Sequence, residues 1–375
     1  MKKKVLFVMK TLEGGGAEKV LVNILNHLDE AKYEITLLLL KYEGVYLSSL
    51  PSYIKVKYLL GPEPTGFLRR GVIYSMKKRW YSLVLAKPWL ANALLPDYYD
   101  VGVSFLEGDA SLLLSYLNGP QKKIAWVHID LERHHTLPRE IEKVVYERMD
   151  EVVCVSEGVK QSVLNLHPVL ESNISVIYNP VDTTFIATKG QESIKVGRGL
   201  NVLAIGRLLN SQKAFDLLLA AHHQNIAAGM DYHLTILGEG SDREVLEKYI
   251  QEHQLSDHTS LLGFQDNPYP YIAGCDLFVM SSRYEGYPVV LVEAMTLGKA
   301  IVSTACTGPQ EALNDGEFGY LVPVNDVNTL AKGIKTLLED QGVRERYASL
   351  SKQRADIFSF RRSMMDVERL LDTQS

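Results

Sequence analysis

Short apolar runs alternate with helical patterns along this chain, and that alternation limits its fold more than any other feature. Val5 to Met9, Glu34 to Leu40, Ile54 to Leu59, Val101 to Phe105, Lys123 to Val127, Glu151 to Val155 and Ile174 to Ile177 have the length and composition of buried strands. Similar runs recur at Asn201 to Ile205, Tyr232 to Leu237, Thr259 to Leu262, Asp276 to Met280 and Ala300 to Ser303. Strand and helix in alternation predict an α/β fold of parallel, doubly wound sheets. A length of 375 residues suits two such domains. They are expected over residues 1–182 and 201–357, joined by a polar, glycine-containing linker over 183–200.

In open α/β sheets, ligands bind beyond the carboxyl ends of the strands. The stretch M-S-S-R-Y-E-G-Y-P-V-V-L-V-E-A-M-T-L-G has that placement: a strand over Asp276 to Met280, a loop over Ser281 to Gly286, then a helix from about Pro288 to Leu297. Gly298 follows as its C-terminal cap. Glu285 would face the crevice from the loop while Glu293 sits in the helix, and the backbone N–H groups near Tyr287 to Val290 would favour an anion. Singly, each glutamate reads more readily as a solvated charge.

Other strand ends carry candidates. Gly14, Gly15 and Gly16 lie between the first strand and a helix over Ala17 to Leu28, where backbone can approach a ligand closely. The spacing is not that of a dinucleotide fingerprint, because Lys19 stands where the third glycine would be. Glu18 suits either a ligand or the helix dipole. Glu107 and Asp109, in S-F-L-E-G-D-A-S, could meet substrate hydroxyls or cap the helix beginning near Ala110. His128 ends a buried strand, Arg207 follows another, and Lys213 lies just before a helix running to about Ala228. Two cations converging there would suit a diphosphate. Asp326 is expected to cap a late helix.

The segment E-G-Y-P-V-V-L-V-E resembles the signature of the retaining GT-B glycosyltransferases of family four, two glutamates separated by seven residues. G-G-G-A-E, G-R-L-L-N-S-Q-K and G-Y-L-V-P extend the resemblance over nearly the whole chain. It implies a GT-B fold, two Rossmann-like domains facing across a cleft, with a last helix in 358–375 crossing back to the N-terminal domain. It also implies site roles. Glu285 would contact the donor sugar, Glu293 the ribose, and Arg207 with Lys213 the diphosphate. Phe264 would lie by the base, His128 near the donor sugar, and Thr307, Gly308 and Pro309 in a loop beside the phosphates. Gly15, Gly16, Gly286, Tyr287, Pro288 and Val289 complete the donor set; Glu18, Glu107 and Asp109 would serve the acceptor.

The implied reaction moves a hexosyl group from a nucleotide sugar, UDP by family habit, to a glycan hydroxyl with retention, giving an α-linkage. The leaving phosphate would accept the acceptor's proton. A covalent double displacement needs paired carboxylates at the anomeric carbon, and Glu293 is assigned to ribose. A lipid-linked acceptor in surface-polysaccharide biosynthesis fits the family. The alternatives are a sugar-nucleotide epimerase of the same architecture and a silent sugar-nucleotide-binding protein.

Net charge of -5 argues against nucleic acid as the partner. No metal-ligand spacing or D-x-D motif is present, so neither a metal nor a cofactor is expected beyond the nucleotide sugar. Cys154, Cys275 and Cys306 read as buried thiols, and no run is long enough to span a bilayer, which together predict a cytoplasmic protein. Residues 67–95 interleave Arg69, Arg70, Lys77, Lys78, Arg79 and Lys87 with Trp80, Tyr81 and Trp89. Such a stretch suits an anionic membrane surface, or equally a core-packing helix with a solvated basic face.

Overall fold

The computed structural model describes residues 2–62, 67–93, 95, 97–355, 357, 358 and 360–372, with only the backbone described over 67–74. The chain divides into two units, Met1–Pro180 with Arg361–Ser375, and Val181–Phe360.

Unit 1 is built on strands β1 (Lys3–Met9), β2 (Tyr33–Lys41), β3 (Lys55–Leu60), β4 (Tyr99–Ser104), β5 (Pro120–Val127), β6 (Glu151–Cys154) and β7 (Ile174–Val176). They pair in parallel in the order β3-β2-β1-β4-β5-β6-β7. Val5 to Met9 are fully buried because β1 has neighbours on both sides and helices over both faces, so its sequence is continuously apolar. Edge strand β3 carries Lys55 and Lys57, paired with Glu34 and Asp97, which disfavours edge-to-edge pairing with another chain. The helix Phe360–Asp372 completes this unit late in sequence. Tyr33 donates to Asp372 Oδ1 at 2.9 Å, and the buried Lys122 donates to Leu370 O at 3.3 Å while pairing with Glu151 at 2.9 Å.

Unit 2 holds β8 (Leu200–Ile205), β9 (Tyr232–Leu237), β10 (Thr259–Gly263), β11 (Leu277–Met280), β12 (Ile301–Thr304) and β13 (Tyr320–Val322), parallel in the order β10-β9-β8-β11-β12-β13. Its core joins Val202, Ala204, Leu234, Ile236, Leu277 and Val302 to Leu218, Leu330, Ile334 and Leu337 from the covering helices. Each sheet reverses its winding direction beside its first strand, between β1 and β4 and between β8 and β11. Ligand crevices form at such switch points.

Several local expectations shift. Residues 183–200 open with the helix Thr183–Lys189, capped by Asp182, whose carboxylate accepts from Phe185 N at 2.8 Å. A Cβ placed on Gly190 would stand 2.6 Å from Leu297 Cδ2, so this stretch packs within unit 2, and the chain passes between the units at Pro180 and Val181. Thr307, Gly308 and Pro309, expected in a loop, form the first turn of the helix Thr307–Ala312. Proline is tolerated there because the N–H it lacks would have no partner within the helix. Pro288 is the N-cap of Val289–Thr296 rather than its first residue, and Gly298 takes the left-handed conformation (φ 63°) just past that helix. Asp326 caps as expected, accepting from Thr329 N at 3.0 Å.

Candidate functional site

The loops leaving β8 and β11 are bonded to one another. After β8 the chain runs through Gly206 and Arg207 into a four-residue helix, Asn210–Lys213, turns at Ala214 (φ 52°, ψ 44°) and enters the helix Phe215–Ala227. Lys213 stands just before that helix, as expected, and also closes the short helix Asn210–Lys213, which the sequence did not announce. After β11 comes S-S-R-Y-E-G. Ser281 Oγ donates to Lys213 O at 2.8 Å, and Arg283 N donates to Gln212 O at 2.7 Å.

At the centre Lys213 Nζ pairs with Glu285 Oε1, with side-chain exposures of 16% and 9%. Ser282 Oγ donates to the same carboxylate oxygen at 2.8 Å, and Thr304 Oγ1 at the end of β12 holds Ser282 O at 2.6 Å. Gly308 N donates to Glu285 O at 3.0 Å. The space is tight. A Cβ on Gly308 would lie 2.6 Å from Gly286 O and 2.9 Å from Pro288 Cδ, and one on Gly206 would lie 3.1 Å from Lys213 Cδ. Gly238, at φ 141°, could not carry a Cβ without placing it 1.9 Å from Gly206 O. Glycine at these positions lets the segments leaving β8, β9, β11 and β12 close over one cation and one carboxylate.

Glu293, 3% exposed in the helix Val289–Thr296, accepts from Tyr269 at 3.3 Å. Tyr287 is buried against Phe358 at 5.4 Å between ring centroids. Arg207 is exposed, and its charge acts on the Tyr284 phenol, which burial raises. Phe264 follows β10 and is 38% exposed, available to stack on a flat group. Val289, the first residue of its helix, is half-buried.

Six candidates belong to unit 1. Gly15 is the N-cap of Gly16–His27, Gly14 has φ 107°, and the space beside Gly16 is open. Glu107 is buried, and its Oε2 accepts from His128 N at 2.9 Å. Burial pushes its carboxyl up to about 7, against the lowering effect of that N–H, and the negative charges of Glu18 and Glu142 push the same way. His128 packs 5.0 Å from Phe105, its Nε2 is buried without a hydrogen-bond partner, and burial brings the imidazole down to about 3, so it is neutral at physiological pH. Glu18 is likewise buried. Asp109 follows the N-cap, Gly108, and pairs with Lys10 at 3.6 Å. Neither Glu107 nor Asp109 supplies a side-chain cap to this helix, because the N-cap position is glycine.

Sequence reasoning missed Ser282, which bonds Glu285, Tyr269, which bonds Glu293, and Arg283 with Asp216, which pair at 3.0 Å. Ser282 and Arg283 stand within the stretch carrying Glu285, but nothing in their spacing marks them. Within 67–95, Met76, Lys77, Lys78, Arg79, Leu83, Lys87 and Trp89 are exposed, while Val84 is fully buried and Trp80 and Tyr81 are half-buried. The side chains of Arg69 and Arg70 lie outside the described residues. Among the described residues no helix is long and apolar enough to cross a membrane, and no cluster of three or more His, Cys, Asp or Glu side chains could hold a metal ion. All three cysteines are free and buried.

Both parts of the chain match known families. Residues 14–185 match the family model "Glycosyltransferase Family 4", and residues 188–354 match "Glycosyl transferases group 1". The chain is 33% identical over 216 residues to the Campylobacter jejuni N-acetylgalactosamine-N,N'-diacetylbacillosaminyl-diphospho-undecaprenol 4-alpha-N-acetylgalactosaminyltransferase, covering 57% of this chain and 58% of that protein. It is 30% identical to the Escherichia coli lipopolysaccharide 1,6-galactosyltransferase, covering 56% and 57% respectively. These alignments thus span little more than half the length of the relatives. Among solved structures, Anabaena HepE in complex with UDP-glucose superposes with a TM-score of 0.76 at 20% identity, over 98% of this chain and 99% of that one. Sucrose-phosphate synthase from Thermosynechococcus elongatus gives 0.78 at 16% identity, over 98% of both.

Proposed function

We infer that this chain, which belongs to the family 4 glycosyltransferases of the GT-B fold, moves a hexosyl group from a UDP-sugar to a glycan hydroxyl with retention, forming an α-linkage. The observation that carries the reading is the nearly buried Lys213–Glu285 pair at the β8/β11 switch point, where one cation and one carboxylate share a tight glycine-lined space. A diphosphate arriving there would take over Lys213 and release Glu285 to accept from a sugar hydroxyl. Arg207, exposed at the same strand end, and the helix N-terminus after Pro288 would add positive potential at the departing phosphates. Glu293, held by Tyr269, would receive the ribose hydroxyls.

Retention here is assigned to same-face substitution, with the leaving phosphate taking the acceptor's proton. A glycosidase-like double displacement needs two carboxylates acting on one carbon, whereas Glu285 is bonded to Lys213 and Ser282, and Glu293 to Tyr269. The reaction is assigned without a divalent ion, Lys213 and Arg207 supplying the positive charge. Glu18, Glu107 and Asp109 are assigned to the acceptor, and neutral His128 to a hydrogen bond with the donor sugar.

The two named relatives act on a diphospho-undecaprenol glycan and on lipopolysaccharide, which supports a lipid-linked acceptor in surface-polysaccharide synthesis. Exposed Lys77, Lys78 and Arg79, with Met76, Leu83 and Trp89, suit contact with the anionic inner face of a membrane.

Thermal unfolding in the presence of UDP, GDP, ADP, NAD or UDP-sugars tests the reading. A ligand at about a hundred times its dissociation constant adds about 2.7 kcal/mol. UDP and one or more UDP-sugars are expected to raise the melting temperature; a shift with NAD alone, or with none of them, overturns it.

A further inference from the structure

We propose that Arg283 is a positioning residue that, clamped on Asp216, sets where Lys213 and Glu285 are held. The proposal rests on the reading that those two side chains bind the donor.

The guanidinium meets the Asp216 carboxylate as a fork, Nη1 to Oδ1 and Nη2 to Oδ2, both at 3.0 Å. Nη1 also donates to Asn210 O, and the backbone N–H of Arg283 donates to Gln212 O at 2.7 Å. One residue therefore grips the start of the helix Asn210–Lys213, its third position and the first turn of the following helix. The geometry is reinforced from the other side: Asp216 N donates to Asn210 Oδ1 at 3.2 Å, and Asn210 N donates to Asp242 Oδ2 at 2.6 Å.

A grip of this kind is needed because four residues cannot hold a helix by themselves. Asn210–Lys213 is that short, and it ends at Ala214, a residue with a side chain in the left-handed conformation. Its orientation, and hence the direction of the Lys213 side chain, is imposed from outside. Arg283 imposes it while standing two residues before Glu285, so the same contact registers both members of the pair. Planar two-point bonding fixes an angle as well as a distance, which a lysine would not do. The Arg283 and Asp216 side chains are 28% and 46% exposed, and ion pairs that open to water contribute little to global stability. Losing this one is therefore expected to act on the site more than on the melting temperature.

Isothermal titration of the full chain with UDP tests this in a double-mutant cycle. Arg283→Ala should weaken UDP about ten-fold in the parent but less than about two-fold in a Lys213→Ala background, since an anchor has nothing to position once its lysine is gone. Asp216→Asn, which breaks the fork from the other end, should reproduce the pattern, and it carries the same cycle if Arg283→Ala does not fold. Equal losses in both backgrounds would show that Arg283 acts by general stability or by touching the nucleotide, and would overturn the proposal. So would normal UDP binding by both Arg283→Ala and Asp216→Asn when Lys213→Ala binds weakly. If Lys213→Ala binds UDP as the parent does, the donor-site reading itself falls, and this inference with it.

Discussion

Lys213 and Glu285, 72 positions apart in sequence, neutralise each other in a nearly closed space at the ends of two neighbouring strands. Each is the other's main compensation for leaving water, so removing one leaves the other buried and unpaired.

Lys213→Ala should therefore lose activity and stability together. Transfer should fall by at least about a hundred-fold, as when one preorganised donor to a developing charge is removed. Unfolding free energy should fall by up to about 3 kcal/mol. Adding Glu285→Gln should restore much of the stability and none of the turnover. Chemical denaturation of the single and double variants, beside their turnover, checks both halves; near-normal turnover in Lys213→Ala removes that lysine from the site.

Tyr269→Phe takes from the buried Glu293 a hydroxyl that donates to it at 3.3 Å. With Glu293 on the ribose, the variant should raise KM for the donor by roughly three- to ten-fold and leave kcat close to that of the parent, the pattern of uniform binding lost. A fall in kcat at unchanged KM would move Glu293 from the ribose to the reacting centre.

Glu107 and His128 should shape the pH dependence of stability in opposite directions. The Glu107 carboxyl is raised to about 7 by burial, so unfolded chains ionise it at lower pH than folded ones do. Stability from this group is complete below the unfolded carboxyl's range and lost as pH rises through about 7. The His128 imidazole, lowered to about 3 by burial, does the reverse: its contribution is present above the unfolded histidine's range and lost as pH falls toward about 3. Glu107→Gln should thus gain stability relative to the parent between pH 5 and pH 8, by a difference of order 2–3 kcal/mol. Denaturant titrations at both pH values measure it, and a constant offset would place Glu107 in water.

Gly238→Ala should cost about 3 kcal/mol or more, because strain at φ 141° adds to a Cβ only 1.9 Å from Gly206 O. Gly229→Ala is the control: φ 86° with open space around it should cost about 1–2 kcal/mol. Similar losses at the two sites would mean that the loops after β8 and β9 do not pack as described.

Changing Lys77, Lys78 and Arg79 together to serine should reduce cosedimentation with vesicles containing phosphatidylglycerol, each charge contributing about 1 kcal/mol near such a surface. Melting should be little affected, since all three are exposed. Equal sedimentation of variant and parent would leave this helix with no role at a membrane.

The strands were legible because a parallel strand buried on both faces must be apolar throughout, as Val5 to Met9 and Leu277 to Met280 are. The residue types at the β8 and β11 ends were legible through the resemblance carried by G-R-L-L-N-S-Q-K and E-G-Y-P-V-V-L-V-E, since each charge taken singly also reads as solvated. Their pairing was not, because which carboxylate meets Lys213 depends on two loops packing together. Arg283 and Asp216 were invisible: each is a partly exposed charge with no periodic companion, and only the fork between them gives them meaning. The helix Thr183–Lys189 was missed even though Asp182 before T-T-F is an N-cap signal, because glycine and polar residues downstream outweighed it. Gly308 and Pro309 misled in the same manner, both being residues associated with loops.

The helix Phe360–Asp372 belongs to the unit that contains β1, while everything between Val181 and Phe360 belongs to the other. During synthesis, therefore, the second unit is complete on the emerging chain before the first has received its final piece. Until that piece arrives, Lys122 and Tyr33 lack the acceptors Leu370 O and Asp372 that they have in the finished protein. The first unit therefore lacks these two bonds until the whole of the second has been synthesised.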